Sequence, residues 1–158
     1  MAALRKNAMN PVIFVLNGPN LNLLGSREPA IYGSATLAEI ETMVRARAEA
    51  LGLDVDFRQT NHEGVLVDWL HEARASGAKA VLLNAAAYTH TSIALLDAIK
   101  AIELPVIEVH LSDPQTRELF RHLSYVGLGA ADCVQGLGAD SYLVALERAA
   151  ALVFQGGG

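Results

Sequence analysis

The stretch that decides the fold is Val12 to Gly25, VIFVLNGPNLNLLG. Its first five residues are apolar without a break, which marks a strand covered on both faces rather than one side of a surface sheet. The turn residues Asn17, Gly18, Pro19 and Asn20 follow at once. A strand buried on both faces implies helices above and below it, so the rest of the chain should alternate strand with helix.

It does. Leu53, Val55 and Phe57 alternate with Asp54 and Asp56, the pattern of a strand near a sheet edge. Ala80 to Leu83 (AVLL) and Val106 to Val109 (VIEV) read as two more buried strands, and Asp132 to Val134 as a short fifth. Between them, Leu37, Ile40, Val44, Ala48 and Leu51 fall on one helix face. Thr36 followed by Glu39 is a capping-box start and Gly52 a stop. Val65, Leu66, Trp69, Leu70 and Ala73 form a second stripe, Ser92 to Ile102 a third helix ahead of Pro105, and Ala139 to Val153 the last, with Tyr142 and Leu146 inward. A short helix is expected near Thr116 to His122. The pattern predicts an α/β, flavodoxin-like, doubly wound five-stranded parallel sheet in a single catalytic domain over residues 11–154. Residues 1–10 read as a loose extension and 155–158 as a frayed tail.

Composition bounds the chemistry. With 158 residues, 52% of them hydrophobic, one domain with a substantial core is expected. The net charge of -5 argues against non-specific binding of nucleic acid. No apolar run approaches the roughly 20 residues of a membrane span. Cys133 is the lone cysteine, read as a small buried apolar side chain, and its solitude favours a reducing compartment and a cytoplasmic location.

In doubly wound sheets ligands bind beyond the carboxyl ends of the strands. After the first strand come Asn17, Asn20 and a long loop containing Arg27 and Tyr32, a length typical of lids. After the third comes Asn84, then Tyr88-Thr-His-Thr-Ser92 with His90 at a helix start. After the fourth come Glu108, His110, Leu111 and Ser112, then Arg117 and Arg121, four apart and able to face one anion from one helix. Each feature has an ordinary reading: a turn, a surface aromatic, capping hydroxyls, a solvated basic face. Their convergence from three strand ends does not. No Gly-x-Gly-x-x-Gly or P-loop follows the first strand, the five histidines lack metal-ligand spacing, and Lys6, Lys79 and Lys100 are poorly placed for Schiff-base chemistry. Acid–base work by tyrosine and histidine remains. A free phenol ionises near pH 10, and a neighbouring guanidinium favours the anion, a task for which Arg27 is sensibly placed. Competing readings are a flavin or nucleotide module, a phospho-receiver domain and another lyase or isomerase of carboxylated sugars. The receiver is disfavoured because Asn17 and Asn20 occupy the place of its acidic cluster.

The segments NGPNLNLLGSREPAIYG, NHEGVLVDWLHEA, LNAAAYTHTS and IEVHLSDPQTRELFRHLSYV resemble, in order and over nearly the whole chain, the type II 3-dehydroquinate dehydratases. The resemblance implies conversion of 3-dehydroquinate to 3-dehydroshikimate without a cofactor or metal, in aromatic biosynthesis or quinate breakdown, by a dodecamer built of trimers. It implies Tyr32 as base, Arg27 as lid arginine and Asn20 as holder of a water near the enolate oxygen. His110 would be the general acid. It further implies that Asn84, His90 and Arg121 hold substrate hydroxyls, that Leu111 and Ser112 grip the carboxylate, and that Asp97 reaches a neighbouring subunit's site. Glu108 and Arg117 fit as supports. One departure is Ala85-Ala86-Ala87, where the family commonly carries glycine. If that glycine takes positive φ, Ala86 is strained there.

Overall fold

The computed structural model describes residues 10–26 and 28–155. Arg27, nearly all of the expected loose start and residues 156–158 of the expected tail therefore lie outside the described residues, while Gln155 is the last residue of a helix. Five strands, β1 (Val12–Asn17), β2 (Asp54–Gln59), β3 (Ala80–Asn84), β4 (Val106–Val109) and β5 (Asp132–Val134), pair in the order β2-β1-β3-β4-β5, every pair parallel. This is the doubly wound flavodoxin-like order, with its switch point between β1 and β3. β2 is the partly exposed edge that its alternating acids predicted.

Alternation along β1 explains its unbroken apolar run. Ile13 and Val15 enter one core with Ile40, Val44, Leu82 and Leu146; Phe14 and Leu16 enter the other with Leu66, Leu70, Leu83 and Leu95. Helices α2 (Leu37–Leu51) and α6 (Asp140–Gln155) cover the first face, and α3 (Glu63–Ala75), α4 (Ile93–Ile102) and α5 (Tyr125–Gly129) the second, while α1 (Pro29–Tyr32) is a single turn ahead of α2. The punctuation operates as read. Thr36 Oγ1 accepts from the Glu39 amide at 3.1 Å, Ser92 Oγ from that of Leu95 at 2.9 Å, and Gly52 ends α2 at φ 74°. Among the described residues no helix is long and apolar enough to cross a membrane.

Three expectations need correction. The helix expected near Thr116 to His122 is two separate 3₁₀ turns, Pro114–Thr116 and Leu119–Arg121, because Arg117 and Glu118 between them are extended. The loop after β1 carries a 3₁₀ turn at Leu21–Leu23 and the turn of α1, started by Pro29 at its first position. Cys133 is exposed rather than buried, because β5 is a three-residue strand at the edge of the sheet, paired on the β4 side alone.

Candidate active site

The carboxyl ends of β1, β3 and β4 open on a cavity of about 270 Å³. Asn20, Tyr32, Asn84, His90, His110, Leu111, Ser112, Arg117 and Arg121 all line it. It lies where the strand order reverses, the place this topology favours for a ligand. Asp97 is exposed on α4 and lines no part of the cavity of its own chain; Glu108 lies one layer behind it.

β4 supplies the most constrained group. Glu108 lies on β4 and His110 one residue beyond its end, where the His110 amide still donates to the Val134 carbonyl at 3.0 Å, so the two side chains point the same way. His110 Nε2 is 2.8 Å from Glu108 Oε2, and both residues are buried. The Ser124 hydroxyl donates to the same carboxylate oxygen, while Ser124 Oγ accepts from the Gly127 amide at 2.8 Å and so caps α5. Burial by itself pushes the Glu108 carboxyl up, but the bonds from His110 and Ser124 outweigh it and hold the group below its ordinary value. The carboxylate therefore takes the Nε2 hydrogen, which leaves Nδ1 as the ring nitrogen available for other partners.

His90 is fixed in a similar way. Its Nδ1 lies 2.7 Å from the Leu123 carbonyl, which can only accept, so Nδ1 carries hydrogen. Burial, joined by the guanidinium of Arg121, lowers its pKa; the bond to Leu123 opposes this without reversing it. The neutral ring that results presents Nε2 as an acceptor.

The basic side of the cavity is held by one backbone carbonyl contact and one ion pair. His122 Nε2 lies 3.1 Å from the Arg117 carbonyl, and Arg121 Nε donates to Glu118 Oε2 at 2.6 Å. Although the two arginines do not share a helix, both line the cavity. The Arg117 guanidinium sits 5.2 Å over the Tyr32 ring, a cation against the aromatic face. Beyond His110, the Leu111 and Ser112 carbonyls accept from the Gly138 and Gly136 amides at 3.0 and 3.1 Å, which fixes their peptide planes.

Opposite, Asn20 sits in the left-handed region at φ 68°. Its amide donates to Asn61 Oδ1 at 3.0 Å, and Gln59 Nε2 bonds both that oxygen and the Gly18 carbonyl at 3.1 Å. Gly18 is required here for space. A Cβ on it would lie 2.5 Å from the Ala85 carbonyl oxygen. Ala86 does take positive φ, 53°, the strained geometry expected of it, with its amide held by Asn84 Oδ1 at 3.2 Å.

A family model described as dehydroquinase class II matches residues 11–150. The chain belongs to the class II dehydroquinases. It is 58% identical to a 3-dehydroquinate dehydratase of Caulobacter vibrioides, over 89% of this chain and 96% of the relative. With a 3-dehydroquinate dehydratase of Sinorhizobium medicae the identity is 59%, over 88% and 93% of the two chains. Its fold is similar to the crystal structure of a type II dehydroquinase from Propionibacterium acnes, with a TM-score of 0.86 at 41% identity over 90% and 98% of the chains. The corresponding structure from Butyrivibrio crossotus gives 0.87 at 35% identity over 89% and 97%.

In this dehydroquinase, sequence reasoning missed Asn61, Leu123 and Ser124. Each acts on a site residue far away in the chain, and no spacing rule links Asn61 to Asn20 or Ser124 to Glu108. The available signals were weak: Ser124 just ahead of a short apolar turn is a capping pattern, and Asn61-His62 at the end of β2 is a strand-end pair.

Proposed function

We propose that this dehydroquinase converts 3-dehydroquinate to 3-dehydroshikimate by elimination through an enolate. The Tyr32 phenolate removes the proton on carbon 2, alpha to the ketone. The C–H electrons move onto the carbonyl oxygen, where Asn20 and a water it holds stabilise the developing charge. The enolate then collapses and expels the hydroxyl on the carbon beyond, which leaves as water with a proton from His110 Nδ1. Because Glu108 takes the Nε2 hydrogen, a proton on Nδ1 makes His110 an imidazolium, and the carboxylate stabilises that charge. No electrons leave the substrate, so the reaction as written is redox-neutral and needs no redox partner.

The observation that carries this reading is the buried Glu108–His110 pair facing the same cavity as Tyr32. The Arg117 guanidinium over the Tyr32 ring adds positive charge where the mechanism needs a phenolate. Arg27, five residues before Tyr32, is the further cation the reading calls on. Asn84, His90 through Nε2, and Arg121 hold the ring hydroxyls, and the Leu111 and Ser112 amides take the carboxylate. Copies of the chain associate in this reading, with Asp97 serving a neighbour's site. The exposed apolar side chains of Ile93, Leu119, Phe120, Leu123 and Leu128 support such contacts.

The test is isotopic. His110→Ala in deuterated water should exchange the carbon-2 hydrogen of 3-dehydroquinate while forming almost none of the conjugated enone that absorbs in the ultraviolet. Tyr32→Phe should do neither. Dehydration at the wild-type rate by either variant refutes its assignment.

A further inference from the structure

Tyr142 is wholly buried in the first turn of α6, beneath the ends of β1 and β3. Its hydroxyl lies 2.6 Å from Asn17 Oδ1 and 2.9 Å from Asn84 Nδ2. Amides can flip and hydroxyls can rotate, yet the surroundings permit one arrangement. Asn17 Nδ2 donates at 2.9 Å to the Arg58 carbonyl, which cannot donate in return, so the Asn17 oxygen must face Tyr142. Burial pushes the Tyr142 phenol well above its ordinary pKa, so its single proton stays and goes to that oxygen. The hydroxyl then has only lone pairs left, which only the NH₂ of Asn84 can satisfy. This turns Asn84 Oδ1 onto the amide of Ala86, where it is found. The donations thus run in one direction, from the amide of the strained Ala86 at the cavity wall to the Arg58 carbonyl on the sheet edge.

We propose that Tyr142 is a positioning residue that fixes the flip of the Asn84 amide, and with it which donor and which acceptor Asn84 offers to the substrate. The role rests on the proposed function of Asn84 in holding a substrate hydroxyl. Tyr142 lines no part of the cavity itself and acts only through Asn84. Without the hydroxyl, Asn84 keeps only the 3.2 Å bond from the Ala86 amide, so its side chain loses one of two ties and rotates away from the orientation the substrate needs.

The test is steady-state kinetics with 3-dehydroquinate on Tyr142→Phe and Asn17→Ala, each alone and combined with Asn84→Ala. Each single variant should raise KM about tenfold, the value of one well-placed hydrogen bond, with kcat within about twofold of wild type. Neither should raise KM further in the Asn84→Ala background. A hydroxyl that only supports packing would lower Tm and the active fraction but leave KM at the wild-type value, and that result overturns the role. Effects on KM that multiply with Asn84→Ala also overturn it. If Asn84→Ala itself leaves KM unchanged, the substrate contact of Asn84 is refuted, and the positioning role falls with it. Asn17→Ala keeps the tyrosine in place, so the outcome does not depend on Tyr142→Phe folding.

Discussion

Glu108 and His110 form a buried pair, carboxylate to Nε2 at 2.8 Å, at the carboxyl end of strand β4. The pair fixes the tautomer of the ring and stabilises it when protonated. Glu108→Gln keeps the shape and removes the charge. It should lower kcat at least about tenfold, and up to the roughly 10⁴-fold that follows loss of the carboxylate that orients a catalytic histidine, with a smaller effect on KM. A kcat for Glu108→Gln within about threefold of wild type would remove the carboxylate from the mechanism.

Ser124 ties that carboxylate to the start of α5, donating to Glu108 and accepting from Gly127. Ser124→Ala should cost about 1 kcal/mol through the lost cap, a fall in Tm of roughly 2–4 °C for a chain of this size. It should also reduce kcat several-fold, because Glu108 loses a donor. Ser124→Thr should restore both. Thermal melts and initial rates on the three proteins decide it, and a Tm loss with unchanged kcat would confine Ser124 to capping.

The fold was legible because its signals are local. The bounds of β4 follow from its mostly apolar run, and those of α2 from Thr36 and Gly52. The strand-end residues were legible as a group because parallel sheets collect their ligands there. What escaped is either too short for periodicity or joined across long sequence distances. The five residues of α5 include two glycines and show no repeat. Arg117 and Arg121 keep the spacing of a helix, but extended backbone between them removes the shared face. Tyr142 was read as core, and it is core; that its hydroxyl joins Asn17 to Asn84 depends on the stacking of α6 over the switch point.

Arg117 lies 5.2 Å over the Tyr32 ring with only 15% of its side chain exposed. If its charge supports the phenolate, Arg117→Met, similar in length and uncharged, should lower kcat by about tenfold or more and change KM less. Arg121→Ala should do the reverse, raising KM with a modest effect on kcat. The opposite split in either variant would exchange the two assignments.

His90 gives a pH signature. Burial holds its pKa below the ordinary 6.5, so the folded ring binds a proton less readily than the unfolded one. Its contribution to stability is therefore complete above 6.5 and is lost as pH falls through the lower folded value. The same protonation fills Nε2, which removes the acceptor proposed for a substrate hydroxyl. KM should be level above pH 6.5 and climb only below it, and His90→Asn should abolish the climb while starting from a higher KM. A KM that rises toward acid equally in the His90→Asn enzyme would place the titration on another group.

The wall of the cavity between Gly18 and Ala86 makes two opposite demands on neighbouring backbone. Gly18 needs the absence of a side chain, since a Cβ would meet the Ala85 carbonyl oxygen at 2.5 Å. Gly18→Ala should therefore destabilise by about 1–3 kcal/mol. Ala86 has the reverse problem, a Cβ at φ 53° where L-residues lose about 1–2 kcal/mol. Ala86→Gly relieves that strain but gives the unfolded chain more freedom, which returns about 0.4–1 kcal/mol. The balance is a net gain of about 0.5–1 kcal/mol, a rise in Tm of roughly 1–4 °C. Melting both variants beside the parent checks the pair, because the same substitution, run in opposite directions, must move Tm in opposite senses: Ala86→Gly upward by a little, Gly18→Ala downward by more. A lower Tm for Ala86→Gly would mean that the alanine methyl group contributes more by packing against the Ile13 and Tyr142 side of the core than its backbone loses in strain.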